Sequence, residues 1–250
     1  MSEHPWADRI IQLDTVDSTN TYAKQLARAG AAHGTVVLAD HQTGGRGRLG
    51  RSFASPAGMG IYCSVVLRPA APPERLLRLT PVMAEAARRA VVQATGLQPQ
   101  IKWINDLVLE GKKLCGILTE LGDGFVVVGI GINCNQQQAD FPPELRGMAG
   151  SLAQALGHPV ERDAVAAELI RQVQLAADGF LLEPARWLEP YAAHCLTIGR
   201  DVQLIRGEEI RYAHVDGMDA DGALLVTLPD GTKETVFSGE VSVRGLYGYV

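Results

Sequence analysis

Between His41 and Pro73 the chain carries Arg46, Arg48, Arg51 and Arg68 and not one aspartate or glutamate, although the whole protein has a formal net charge of −5. The stretch opens as Gln42-Thr43-Gly44-Gly45-Arg46-Gly47-Arg48-Leu49-Gly50-Arg51-Ser52. Glycines let backbone N–H groups come close to a ligand. Arginines offer planar donor forks that match carboxylate and phosphate oxygens. The chemistry this pattern suits is the holding of an anion; the plain alternative is a solvated basic loop.

Three further segments have types and spacing that could serve such a site. Lys102-Trp103-Ile104-Asn105-Asp106 puts a cation, an aromatic, an amide and a carboxylate at one strand end, or else a core tryptophan followed by a turn. Gly111-Lys112-Lys113-Leu114-Cys115-Gly116-Ile117 puts two cations beside a hairpin, where edge lysines are also common as protection. Gly129-Ile130-Gly131-Ile132-Asn133 places glycines inside an apolar strand, the mark of a bulge, a close ligand approach or tight packing.

The elements that must position these residues are legible in outline. Ile10–Leu13 is a short apolar run. Asp17 or Ser18 is placed to cap a helix with Tyr22, Leu26 and Ala29 on one face, stopped at Gly30. Thr35–Ala39 and Gly60–Leu67 read as buried strands. Arg75–Thr95 has helical spacing up to Gly96, with Pro81 expected to begin, kink or divide it. Ile101–Ile104 reads as a strand, and Leu107–Leu109 and Leu114–Leu121 as a hairpin joined through Glu110-Gly111-Lys112-Lys113. Phe125–Cys134 is a strand, and Arg162–Leu182 a long amphipathic helix ended by Pro184. This alternation predicts an α+β domain, a mixed sheet covered by helices. After Gly199 the texture changes to short strand candidates, Asp201–Ile205, Ile210–Val215, Ala223–Leu228, Glu234–Phe237 and Val241–Val243. Asp-Gly turns at 216–217, 221–222 and 230–231 separate several of them. The expected organisation is a main domain over 1–198 and a small all-β barrel over 199–250, too small to bury much core alone.

Bulk properties exclude several classes. At 250 residues, 46% apolar and 20% charged, the chain is an ordinary globular protein. No apolar run approaches the roughly 20 residues that span a bilayer. Met1–Asp8 lacks the basic and apolar regions of a secretory signal. Cys63, Cys115, Cys134 and Cys195 are scattered without a CxxC pair, which suits reduced thiols in a cytoplasm. A pI near 5.7 and the lack of an aromatic-rich basic face weigh against a nucleic-acid-binding module, the reading from a different class.

Taken in order, Ser18-Thr19-Asn20, Gln42–Arg51, Ser55-Pro56, Lys102–Leu107, Lys113–Ile117 and Gly129–Asn133 resemble the biotin protein ligase family, the biotin–[acetyl-CoA-carboxylase] ligases. Gly199-Arg200-Asp201-Val202 and Ser238-Gly239-Glu240-Val241 extend the likeness into the tail. Two departures are visible: Ile104 where the family commonly has Pro, and Phe53 where it commonly has Trp. The resemblance implies a class II synthetase-like catalytic domain with an SH3-like C-terminal barrel. It implies two steps: attack of the biotin carboxylate on the α-phosphate of ATP, then transfer from biotinyl-5′-AMP to a lysine of a biotin carboxyl carrier protein. ATP and Mg²⁺ are the implied cofactors and the cytoplasm the implied location, with no DNA or membrane partner. A homodimer is left open.

Carried over by position, Ser18, Thr19, Asn20 and Gln42 look like contacts to the ureido head of biotin or their supports. Gly45, Arg46, Gly47 and Arg48 would order the loop over carboxylate and phosphate. Lys113 would sit between the acyl oxygen and the α-phosphate, making Lys113, Arg46 and Arg48 the catalytic candidates. Gly116 and Gly129 would let the backbone lie against the ligand, and Asn133 would lie near the nucleotide. Asp106 is open between assisting Mg²⁺ and holding its loop. Family members with a repressor role carry an N-terminal helix-turn-helix domain, and the roughly 15 residues before Ser18 leave no room for one, so the enzyme-only form is expected. The competing enzyme reading is lipoate or octanoate transfer by a relative of the same fold, which lacks this arginine loop.

Overall fold

Thr35–Gln42 (β2) and Gly60–Leu67 (β3) are interior strands of the main sheet, and every residue of β3 is buried. Around them the computed structural model, which describes residues 6–237 and 242–245, builds two sheets. Ile10–Val16 (β1) lies parallel to β2 at one edge. Gln100–Lys102 (β4), Asp106–Leu109 (β5), Lys112–Gly122 (β6) and Phe125–Asn133 (β7) complete a seven-stranded mixed sheet in the order β1-β2-β3-β7-β6-β5-β4. All pairs after the first are antiparallel. The β5–β6 connection is two residues, Glu110 and Gly111, both at positive φ, as a tight hairpin turn requires.

Helices cover both faces of this sheet. Thr19–Arg28 (α1) packs on one face, where Ala23 and Ala27 meet Val37, Val66, Phe125 and Val127. The short Pro73–Leu76 (α2) leads into Leu79–Thr95 (α3), which covers the other face with Arg162–Gly179 (α5) and Ala185–Ala193 (α6). Pro81 is the third residue of α3, inside the first turn, where no intrahelical N–H bond is lost. The helix expected over Arg75–Thr95 is divided between Leu76 and Leu79, and Pro81, with no N–H for the Leu77 carbonyl, lies in the first turn of the second part. Pro184 starts α6 rather than merely ending α5, and α6 and the small Leu152–Leu156 (α4) were not anticipated.

The tail forms a five-stranded antiparallel sheet from Asp201–Arg206 (β8), Glu209–Met218 (β9), Leu224–Thr227 (β10), Lys233–Val236 (β11) and Ser242–Gly245 (β12), in the order β11-β10-β9-β8-β12. The expected Ser238-Gly239-Glu240-Val241 match lies outside the described residues. The tail does not build a core of its own. Val202, Leu204, Val215, Leu224 and Val226 belong to the same buried cluster as α3, α5 and the main sheet. At the seam Trp103 Nε1 donates to the Gly222 carbonyl oxygen at 2.9 Å, and Arg78 pairs with Asp221. No helix among the described residues is long and apolar enough to cross a membrane.

Candidate active site

Two rows of residues run across the central sheet and make the floor of a cleft. Tyr62 pairs with Gly131, which pairs with Gly116; Ser64 pairs with Gly129, which pairs with Leu118. Successive strand residues point to opposite faces. These rows therefore face the cleft, while Val65, Ile117, Val128 and Ile130 face the helix-covered core. At Gly131 an added Cβ would come within 2.6 Å of the Phe53 ring, and at Gly129 it would overlap the Asn20 amide. The glycines leave room for these two side chains to lie flat on the sheet.

One wall is polar and internally bonded. The start of α1 and the end of β2 meet where Gln42 Oε1 accepts from Thr19 N at 2.9 Å and lies 3.0 Å from Thr19 Oγ1. Gln42 thus satisfies one of the free N–H groups at the helix N-terminus. Ser18 occupies the N-cap position but its side chain makes no cap bond. Gln42 Nε2 donates to Ser55 Oγ at 2.8 Å. The buried Ser64 hydroxyl lies 2.8 Å from Thr19 Oγ1 and 2.6 Å from Asn20 Oδ1. Asn20 Nδ2 donates to Glu120 Oε2 at 2.8 Å, and Glu120 pairs with Lys24 at 2.6 Å. Hydrogen bonds from Lys24 and Asn20 outweigh burial and hold the Glu120 carboxyl below its ordinary pKa.

The arginine loop is folded as a small hairpin. Arg46 bridges to Ser52, Phe53 N donates to the Gly45 oxygen at 2.9 Å, and Gly47 N donates to the Arg51 oxygen at 2.7 Å. Arg46 and Arg51 are exposed, while Arg48 is half-buried. Arg48 Nη1 donates to Asn105 Oδ1 at 3.2 Å. Asn105 is itself fixed to β6, with Nδ2 donating to the Ile117 oxygen at 2.8 Å. Burial draws the Arg48 pKa below its usual value, and Asp106 opposes that shift. Arg68, counted above in the same acid-free stretch, belongs elsewhere. Its guanidinium bonds the Ala27, Ala31 and Gly124 oxygens, closing off carbonyls at the C-terminal end of α1.

Lys113 reaches the cleft because of a β-bulge. The β5–β6 register shifts after Leu107, which pairs with Cys115 while Val108 pairs with Lys113. Leu114 is the extra residue, and both Leu114 and Cys115 are buried. In an unbroken strand residues 113 and 116 would face opposite ways; the bulge puts them together. A Cβ at Gly116 would lie 3.1 Å from Lys113 Nζ. Lys113 Nζ is 2.6 Å from Asp106 Oδ1. Lys112 is exposed.

Of the residues singled out by sequence, Ser18, Thr19, Asn20, Gln42, Arg46, Gly47, Arg48, Lys113, Gly116 and Gly129 line this cleft. Gly45 and Asn133 do not. Gly45 lies behind the loop, where a Cβ would be 2.7 Å from Ser55 Oγ. Asn133 is buried, its amide donating to the Gly150 oxygen at 2.9 Å, while Gly150 N donates to the Lys113 oxygen at 3.0 Å. It braces the strand that carries Lys113. Tyr62, Ser64 and Glu120 were missed. For Tyr62 and Ser64 a signal was present: alternation through the buried β3 puts both on one face. Cys63 also borders the cleft, but burial pushes its thiol up to about 12, so it carries no thiolate nucleophile near neutral pH. Among the described residues no three His, Cys, Asp or Glu side chains gather to hold a metal ion, and Asp106 is engaged with Lys113.

Comparison with known proteins agrees with this geometry. The model of the biotin/lipoate A/B protein ligase family matches residues 13–136, and that of the biotin protein ligase C terminal domain matches residues 197–244. The chain belongs to the biotin protein ligase family. The bifunctional ligase/repressor BirA of Bacillus subtilis is 36% identical over 244 residues, 94% of this chain and 74% of that one. The biotin–[acetyl-CoA-carboxylase] ligase of Paracoccus denitrificans is 32% identical over 93% of this chain and 100% of its own length. The biotin protein ligase of Aquifex aeolicus, solved with biotin and ATP, superposes with a TM-score of 0.84 at 31% identity, covering 95% of this chain and 99% of that one.

Proposed function

We infer that this cleft is where the chain, a biotin–[acetyl-CoA-carboxylase] ligase, activates biotin with ATP and passes it to a lysine of the carboxyl carrier protein. The observation that carries the site is one cleft with two chemically different ends. Thr19, Asn20, Gln42 and Ser64 form a neutral wall of donors and acceptors, suited to a cyclic urea. Arg48 and Lys113 converge beside Asn105 and Asp106, and Arg46 lines the same cleft, an arrangement suited to a carboxylate meeting a phosphate.

In the first step a biotin carboxylate oxygen bonds to the α-phosphorus and the bond to pyrophosphate breaks. The difficulty is one anion approaching another, and fixed cations lower it without having to reorganise. Lys113, held over Gly116 by the bulge, is assigned to the charge that develops at the α-phosphate. Arg48, anchored through Asn105, is assigned to the phosphate side. The exposed Arg46 is assigned to closing the hairpin over the ligand and shielding the anhydride from water. Asp106, 2.6 Å from Lys113, is read as the ammonium's counter-ion and holder. In the second step the carrier's lysine amine attacks the acyl carbon and loses a proton as AMP departs. Mg²⁺ enters this reading as the companion of ATP, offsetting the charge of the triphosphate and of the pyrophosphate. ATP and the carrier put the reaction in the cytoplasm, a compartment consistent with the four buried, unbridged cysteines.

The boundary near Ile198/Gly199 is proposed as the division between the catalytic domain and an SH3-like tail that packs against it. The test is ATP–pyrophosphate exchange driven by biotin or by lipoate, followed by transfer of labelled biotin to a carrier domain. Exchange with biotin alone, and label on the carrier, is the expected result. Exchange driven by lipoate would overturn the assignment.

A further inference from the structure

We propose that Leu49 keeps the arginine hairpin only marginally folded, so that the strain of its turn sets how fast the hairpin opens and the bound adenylate escapes. This rests on the reading that the hairpin closes over the ligand.

The tip of the hairpin is the turn Arg48-Leu49-Gly50-Arg51, closed by Arg51 N donating to the Arg48 oxygen at 3.2 Å. Leu49 has φ 55 and ψ 38, and Gly50 has φ 73. Positive φ at both central positions is the type I′ pattern, which Asn-Gly and Asp-Gly fill readily. A leucine in the first of them has its Cβ pressed toward the following carbonyl oxygen. Strain of this kind persists where surrounding contacts over-determine the conformation. At Leu49 the side chain supplies little of that, because the residue is 58% exposed.

A second turn shows the difference. Among the described residues the other non-glycine with positive φ is Glu110, at φ 50 and followed by Gly111 at φ 76. That turn joins β5 to β6 inside the seven-stranded sheet, and the ladder holds it. Residues 45–53 belong to no strand of that sheet. The strain at Leu49 therefore falls on a small set of bonds, among them Gly47 N to the Arg51 oxygen at 2.7 Å and Phe53 N to the Gly45 oxygen at 2.9 Å. Both arms of the hairpin reach the cleft. Arg46, Gly47 and Arg48 line it from one arm, and Phe53 lies over Gly131 from the other. Melting the turn loosens both. Replacing leucine by asparagine, which tolerates the left-handed region, shifts the balance of folded to melted hairpin by about tenfold.

The test compares the parent, Leu49→Asn and Leu49→Ala in the full chain. Asparagine relieves the backbone strain; alanine keeps the strain and removes the contacts of the leucine side chain. Backbone amide exchange is followed at Gly47, Arg51 and Phe53 in the unliganded protein, and release of biotinyl-5′-AMP in a quench-and-filter assay. In Leu49→Asn, exchange at these three amides is expected to slow about tenfold, with amides of the main sheet unchanged, and adenylate release to slow by a similar factor. Leu49→Ala stays within about twofold of the parent in both measurements. Parent-like or faster exchange in Leu49→Asn would overturn the role of Leu49. So would a change in Leu49→Ala, in either direction, as large as the one expected for Leu49→Asn. Slower exchange in Leu49→Asn with unchanged adenylate release would instead overturn the reading that the hairpin closes over the ligand.

Discussion

Replacing Lys113 by alanine separates the chemistry of this site from its architecture. The ammonium sits over Gly116 and 2.6 Å from Asp106, with the two side chains 28% and 15% exposed. Two losses follow. The first is an ion pair intermediate between surface pairs, worth about 0–1 kcal/mol, and buried ones, whose breakage costs about 3–5 kcal/mol. A destabilisation of about 1–2 kcal/mol, or roughly 2–8 °C in Tm for a chain of this size, is the expected scale. The second is a preorganised positive charge at the reacting phosphate. Losing such a group slows the chemical step by about 10²–10³-fold, or about 2.7–4 kcal/mol. Biotin affinity changes far less, because the wall built on Thr19, Asn20 and Gln42 is untouched.

Two controls make the reasoning refutable. Asp106→Asn breaks the same ion pair but keeps the ammonium, so Tm falls comparably while the adenylation rate stays within about tenfold of the parent. Lys112→Ala changes an exposed side chain that neighbours Lys113 in the strand but does not line the cleft, and leaves adenylation near the parent rate. Single-turnover formation of biotinyl-5′-AMP, biotin titration and thermal melts on all three variants decide the matter. If Lys112→Ala is the damaging change, the bulge does not place the cleft-facing lysine as described. If Lys113→Ala loses biotin affinity in proportion to its rate, the ammonium acts in binding rather than at the transition state.

Further expectations follow from the same geometry. Arg46→Gly leaves the melting temperature within about 2 °C, because the side chain is exposed, and speeds escape of biotinyl-5′-AMP; unchanged release in a quench-and-filter assay would contradict the closing role. Gly129→Ala drives a Cβ into the Asn20 amide and to 2.8 Å from its Cγ, so biotin affinity drops by about 10–100-fold on the usual overpacking scale; calorimetry showing parent-like binding would mean that Asn20 can be displaced without consequence. Gly222 has φ +88 and a Cβ there would lie 2.7 Å from Pro81 Cγ, so Gly222→Ala destabilises by about 1–3 kcal/mol. Because Gly222 also accepts from Trp103, that variant loses carrier biotinylation and adenylation together in activity assays near its new Tm. Loss of carrier transfer alone would place the tail's role outside the seam.

The acid-free arginine loop, the Lys-Trp-Ile-Asn-Asp segment and the glycine-punctuated strand could be read from residue types and order, because each has a local backbone reason to be where it is. Glycine spacing, turn residues and alternation are short-range signals, and they placed β2, β3, β7 and a hairpin at Glu110–Lys113 without any tertiary information, though Lys112 and Lys113 belong to β6 and the turn is Glu110-Gly111 alone. Pairings across distant segments were not legible. Nothing local in Arg68 distinguishes it from Arg48, yet one closes the end of α1 and the other reaches Asn105. Asn133 stands in the expected strand, but only its neighbours in space reveal that its amide braces Gly150. Glu120 lies 100 residues from Asn20, and its place in the wall depends on β6 lying beside β7 and on α1 packing over β7 so that Asn20 reaches the next strand. The bulge at Leu114 is the clearest case. A period of two assigns Lys113 and Gly116 to opposite faces, and the extra residue that reunites them is fixed by how β6 registers against β5.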